Sequence, residues 1–474
     1  MEKFFKLKEN GTSVKTEVMA GLTTFLTMAY IVALNPNLIT GFGANGGQPL
    51  WNAVFMATVL SSGIATILMG VLANKPFGLS AGMGLNTYFA TVCGSIAAAA
   101  GVSYVQGVQA GLSIILIEGI LFLILSLLKV REKIVAAIPH SVRLGISAGI
   151  GLMLVNIGLG SNAGIYNSEG SCFYMLAQFF TNGPSVTSAQ MGDSYPTMIV
   201  YVITLFVGII LIAALTHKKV KGAILLGVIG SSILYWILSF AVLKTNPFVG
   251  LANASWLPPF GDMFELTFFK FDFKTLFSIG TFTAVMTIIS FCMVDMFDTI
   301  GTLYGTCKSA DMLDKNDNIP AMTECMVSDA VGTCVGAATG TSTVTTFVES
   351  AAGVKAGGRT GLTAIVTGLL FLACMFISPI AAIIPAPATS AALVFVGSLM
   401  ISSLKEVDYS DCANSVPVVL MLIFMPISSS IGGGIGIGLI AYSLIKIFRG
   451  EIKQVHWLTV VLSILFLCKF FIIF

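Results

Sequence analysis

Charge is scarce in this chain: Asp, Glu, Lys and Arg together make up 10% of its 474 residues. A soluble domain of this length needs far more charge to cover its surface. Histidine is rarer still, with only His140, His217 and His456, each near the end of an apolar run. There is no HExxH motif and no histidine pair, so no catalytic residue and no metal ligand is assigned. The nine cysteines form no Cys-x-x-Cys and no Cys/His pairing, which argues against a disulfide framework and against zinc. The polar N-terminus, MEKFFKLKENGTSVKTE, does not indicate a cleaved signal peptide. A net charge of +2 gives no reason to expect nucleic acid as a partner.

What the chain has is apolar length. It is 56% hydrophobic, with a mean hydropathy of +0.94. Runs of about 20 apolar residues can cross a hydrocarbon core ~30 Å thick. The expectation is an all-α polytopic membrane protein of about 14 segments. Residues 1–16, with Lys3, Lys6, Lys8 and Lys15, read as a cytoplasmic lead-in. Spans are expected near 18–35 (ending at Asn35-Pro36), 51–72, 108–128, 138–160, 197–215, 223–242, 279–304, 326–339, 362–384 and 387–404. Residues 416–444 read as one broken span or two short ones, and 456–474 as a last segment. The loop at 161–196 has no Lys or Arg and should face outward. The 108–128 span ends at Lys129, Arg131 and Lys133, and the basic turns His217–Lys221 and Lys446/Arg449/Lys453 should face inward.

Two stretches break the apolar pattern. One is PFGLSAGMGLNTYFATVCG at 76–94, and the other is TGTSTVTTFVESAAGVKAGGR at 339–359. Broken backbone at membrane depth is tolerated only where protein or a cavity satisfies its polar groups. Each break lies just upstream of a matching pair of features. GVQAGLSIILIEGILFL (107–123) resembles GGRTGLTAIVTGLLFL (357–372), and Ile138-Pro139 matches Ile384-Pro385. Seven segments per repeat is odd, so the copies are inverted, and a midplane site is expected between the broken third and tenth segments.

Carboxylates inside spans cost roughly 2.5–3.5 kcal/mol each and are therefore informative. Asp295, Asp298 and Thr302 share one helical face at i, i+3, i+7. Glu349 is expected about one turn inside a helix starting near Thr345, with Thr341, Ser342 and Thr343 before it and Asn86 as its counterpart on the first break. Asp329 is expected to cap the following span. A carboxyl group shielded from water gains and releases a proton near neutral pH. That makes Asp295, Asp298 and Glu349 candidates for proton coupling. A carboxylate also accepts two parallel N–H bonds, which suits a flat heterocycle with adjacent ring and exocyclic donors.

AGLTTFLTMAYIVALNP (20–36), GLSAGMGLNTYFA (78–90), FDTIGTLYGT (297–306), SDAVGTCVGAATGTSTVTTFVESAAGVKAGGRTGLTA (328–364) and MPISSS (425–430) together carry a resemblance across most of the chain. They resemble the nucleobase/ascorbate transporter family, in its AzgA-like branch of adenine, guanine and hypoxanthine permeases. The resemblance implies a core domain (17–134 and 276–384) and a gate domain (135–275 and 385–474). It implies substrate contact by Asp298, with Glu349 and Asn86 matching polar residues of the tenth and third segments; the Thr341, Ser342 and Thr343 hydroxyls, read from the residues themselves, are expected to add hydrogen bonds to the substrate there. It also implies a homodimer in the plasma membrane with an elevator-like core, a purine as substrate, and no cofactor beyond the proton as coupling ion. The uracil and xanthine branches place an acid or amide where this chain has Thr341-Ser342. Two roles therefore stay open for Glu349: touching the base, or bracing the site and handling the proton. Competing readings are a sulfate-carrier-like anion transporter of the same architecture, and a channel. The anion reading must contend with Asp298 and Glu349.

Overall fold

The structure is a computed structural model that describes residues 2–41, 45–128, 138–160, 195–252, 255–309, 312, 319, 321–428 and 430–471. The expected outward loop at 161–196, save its last two residues, and the basic residues Lys129, Arg131 and Lys133 lie outside these.

Ser13 caps the first long helix, α1 (Val14–Met28), by accepting from the Thr16 amide. The chain tightens at Ala29 and Tyr30 and continues as α2 (Ile31–Ile39), so that Val14–Ile39 forms one span. The expected stop at Asn35-Pro36 is corrected: Pro36 sits inside α2. A proline removes one backbone bond, and packed neighbours can absorb that loss in a membrane helix. All of α2 except Asn37 is buried.

Next come α3 (Gly47–Leu68), the strand β1 (Leu79–Ala81), α4 (Met83–Ala100), α5 (Tyr104–Leu127) and α6 (His140–Leu159). Then follow α7 (Tyr195–His217), α8 (Ala223–Leu238) and two short helices, α9 (Phe260–Leu266) and α10 (Phe273–Ser278). The second half holds α11 (Thr281–Ser309), α12 (Met322–Thr339), β2 (Val344–Thr346), α13 (Ser350–Lys355), α14 (Gly361–Ala373) and α15 (Ala386–Met400). The C-terminal stretch resolves into α16 (Cys412–Ser428), α17 (Ile431–Phe448) and α18 (Trp457–Phe471). Residues 416–444 are thus two helices. Pro426 lies within the first, and Ser430 caps the second through the Gly433 amide. Among the described residues, nine helices are long and apolar enough to cross a membrane.

The packing follows the inverted repeat. Helix α5 lies on α12 as α14 lies on α3, and α7 lies on α15 as α16 lies on α6. Pro139 and Pro385, the two matched prolines, are the N-caps of α6 and α15. These two helices cross where glycine meets glycine. A Cβ on Gly151 would sit 2.5 Å from the Gly397 oxygen, and one on Gly397 would sit 2.4 Å from the Gly151 oxygen. Small residues at such crossings let backbones approach closely.

At the centre, β1 and β2 pair antiparallel, with Leu79 opposite Thr346, Ser80 opposite Thr345 and Ala81 opposite Val344. Gly82 N donates to Thr343 O (3.0 Å), and Phe347 N donates to Gly78 O (3.0 Å). Two chain breaks thereby satisfy each other's backbone where water and lipid offer no partners.

Candidate functional site

Pairing of the strands decides where the polar groups fall. Because Val344–Thr346 is held extended by β1, α13 starts only at Ser350. Glu349 is its N-cap residue, not one turn inside, and its side chain does not cap the helix. Instead its Oε1 accepts from the Tyr30 hydroxyl at 2.7 Å. Tyr30 stands at the tightened turn between α1 and α2, and its oxygen also touches the Met83 sulfur at 3.3 Å.

Asp298 reaches the same place from α11. Its Oδ2 accepts a long bond from the Thr345 hydroxyl (3.4 Å). Gly82 passes just beside them: a Cβ there would lie 2.9 Å from Thr345 Oγ1 and 3.5 Å from Asp298 Oδ2. Asp298 and Glu349 are half-buried and within electrostatic reach of each other. The group therefore draws on α2, α11 and both breaks, and it leaves two carboxyl groups with spare accepting capacity.

Behind the strands everything is closed. Thr341, Ser342 and Thr343 are fully buried. Thr341 Oγ1 accepts from Asn35 Nδ2 (2.7 Å), which also donates to Thr58 Oγ1 (2.7 Å). Ser342 donates to Asn86 Oδ1, while Asn86 Nδ2 donates to Ala81 O (3.2 Å). Thr343 donates to Glu118 Oε2 (3.0 Å). These hydroxyls and Asn86 tie the crossing to α2, α4 and α5.

Asp295 is also fully buried. The Thr299 hydroxyl sits 3.2 Å from Asp295 Oδ1 and 2.9 Å from Asp329 Oδ2. Asp329 Oδ1 accepts from the Thr346 amide (3.2 Å). The capping expected of Asp329 is corrected. Helix α12 begins at Met322, with Ala321 as N-cap, so Asp329 lies mid-helix and braces β2.

Sequence reasoning passed over Tyr30, Asn35, Thr345, Glu17 and Glu118. Glu118 sits in the middle of the apolar α5, so the rule applied to Asp298 would have flagged it. Glu17 gives a similar signal near the start of α1. Its carboxylate takes the amides of Arg359 (2.9 Å), Thr360 (3.3 Å) and Thr363 (3.2 Å) and the Thr363 hydroxyl (2.6 Å), capping α14 from another helix. Two strings spell Gly-x-Ser-x-Gly, at 78–82 and 145–149. The first is not a nucleophile turn: Ser80 lies in β1 and shares its hydrogen bond with Ser62 (2.7 Å).

The profile of a family described as a permease family matches residues 15–437. The guanine/hypoxanthine permease PbuO of Bacillus subtilis is 36% identical over 471 residues, covering 99% of this chain and 100% of that protein. The adenine permease AdeP of Escherichia coli is 34% identical, covering 99% and 95%. Among solved structures, the transmembrane domain of a cyanobacterial bicarbonate transporter, BicA, superposes with a TM-score of 0.60 at 15% identity, covering 90% of this chain and 97% of that one. The murine anion transporter Slc26a9, in its inward-facing state, gives 0.60 at 11% identity, covering 92% and 68%. At these identities the two structures show likeness of fold alone.

Proposed function

The chain belongs to this permease family, and from that membership we propose that it carries purine nucleobases across a membrane as a secondary active transporter. The observation that carries the reading is the pair of half-buried carboxyl groups, Asp298 and Glu349, facing the paired strands. Asp298 accepts the adjacent ring and exocyclic N–H groups of a flat base in a bidentate fashion. Glu349, held by Tyr30, either takes a further N–H or manages the proton. Gly82, having no Cβ, leaves open the space beside Asp298 and Thr345 that a side chain there would crowd.

Import is by proton symport in this reading. The proton rides on Asp298, Glu349 or Asp295, so that the loaded site crosses with less charge, and a less charged site is cheaper to move through apolar surroundings. The core (17–134 and 276–384) slides against the gate (135–275 and 385–474), with the N-terminus cytoplasmic, in a homodimer of the plasma membrane. Likeness of fold to a bicarbonate and an anion transporter favours anion transport as the second reading. Two carboxyl groups in the site would repel such a cargo, which ranks it below.

The test is uptake of labelled hypoxanthine by cells expressing the chain, competed by a panel of bases and by sulfate or bicarbonate. Purines should compete, anions should not, and a protonophore should remove accumulation. Competition by anions alone would reverse the ranking. Accumulation indifferent to the protonophore would end the proton proposal and leave the substrate proposal standing.

A further inference from the structure

Where α6 begins and the turn after α17 ends lies a polar hollow that shares no residue with the site at the strand crossing. A cavity of about 210 Å³ is lined by His140, Arg143, Tyr442, Gln454 and His456. A second, of about 170 Å³, shares Pro139, His140 and Tyr442 with it and adds Ser141. Helix α6 runs for 20 residues from His140, and no side chain caps its start. The first N–H groups of a helix lack intrahelical acceptors and attract negative charge.

The side chains there are short of partners in the same sense. Ser141 is 6% exposed, and its Oγ has no hydrogen-bond partner among the described residues. The Arg143 Nε is buried and likewise without a partner. Neighbouring cations are already matched: Arg449 pairs with Asp411 (2.7 Å) and Lys446 with Glu451 (2.5 Å). No described acid lines the larger cavity. Glu406 and Asp408 line only the second, where Asp408 is already engaged by the Ser410 amide (3.0 Å) and hydroxyl (2.6 Å). In the larger cavity, donors are in surplus, and a buried donor left unmatched is costly.

We propose that this hollow binds a phosphate group. The Arg143 guanidinium fits phosphate oxygens as a fork, the α6 amides and Ser141 add donors, and His140 and His456 flank the mouth. The phosphate comes from the head group of an anionic phospholipid or from the free ion, and it fastens the start of α6 to the turn at 452–456.

Full-length protein is placed in nanodiscs of phosphatidylcholine, with or without phosphatidylglycerol, and melted with and without inorganic phosphate. Native mass spectrometry reads retained lipid. Phosphatidylglycerol should raise the melting temperature and stay bound, and Arg143→Gln should weaken that binding roughly tenfold or more. An equal rise with inorganic phosphate in phosphatidylcholine discs assigns the free ion, and the proposal still stands. His456→Gln, at an exposed position, provides a second variant should Arg143→Gln fail to fold. Absence of any shift in the unaltered protein overturns the site. A full shift retained in the variants that fold does the same.

Discussion

On one side of the β1–β2 pair, Thr341, Ser342 and Thr343 are fully buried, bonded to Asn35, Asn86 and Glu118. On the other side, Asp298 and Glu349 remain half-open, and among the described residues each accepts one side-chain hydroxyl, from Thr345 or Tyr30. Both sides are rich in small hydroxyls and carboxyls, so composition does not separate them. Satisfaction does. A polar group whose partners are all protein contributes rigidity, whereas one with spare lone pairs at a partly open position can take a ligand. The closed side holds the crossing in shape, and the open side is where a guest can be held.

The contrast breaks most sharply at Asp298. Asp298→Asn keeps the shape, removes the charge and replaces one acceptor by a donor, so uptake should fall by roughly 100-fold. The protein should still reach the membrane and melt as before. Normal uptake by this variant would move the guest elsewhere.

Glu118→Ala probes the opposite side. It leaves the buried Thr343 hydroxyl without its acceptor, at a cost of about 1–3 kcal/mol. The expected result is a lower melting temperature with unchanged substrate affinity in the folded fraction. Lost affinity at full stability would erase the distinction between the sides. Smallest of the three is Tyr30→Phe, which removes the hydroxyl holding Glu349 and should raise KM about fivefold, the worth of roughly 1 kcal/mol. A KM unmoved by this change would confine Glu349 to proton handling or bracing.

Much of the architecture could be read in the chain itself, because apolar length and inverted repetition are one-dimensional signals. The twin Ile-Pro pairs mark the starts of α6 and α15, and both breaks are where glycines and hydroxyls cluster. Asp298 stood out because a carboxylate within an apolar span is rare. Glu118 obeys the same rule but lies in an unbroken helix, where attention to the breaks did not reach. Which way Thr341–Thr343 point could not be read, since facing depends on strand register and on Asn35, over 300 positions away. Tyr30 was hidden for a similar reason. Its turn contains no Gly or Pro, and its partner Glu349 belongs to the other repeat. The start of α13 was misjudged by a few residues because pairing with β1 keeps Val344–Thr346 extended.

The central claim is that the guest lies on the open side, against Asp298. Cryo-electron microscopy of the protein saturated with hypoxanthine or guanine tests it directly. The account predicts planar density with N–H edges about 2.7–3.2 Å from the Asp298 carboxyl, on the Gly82 and Glu349 side of the strands. Density elsewhere, with the Asp298 carboxyl contacting only protein or lipid, would contradict it.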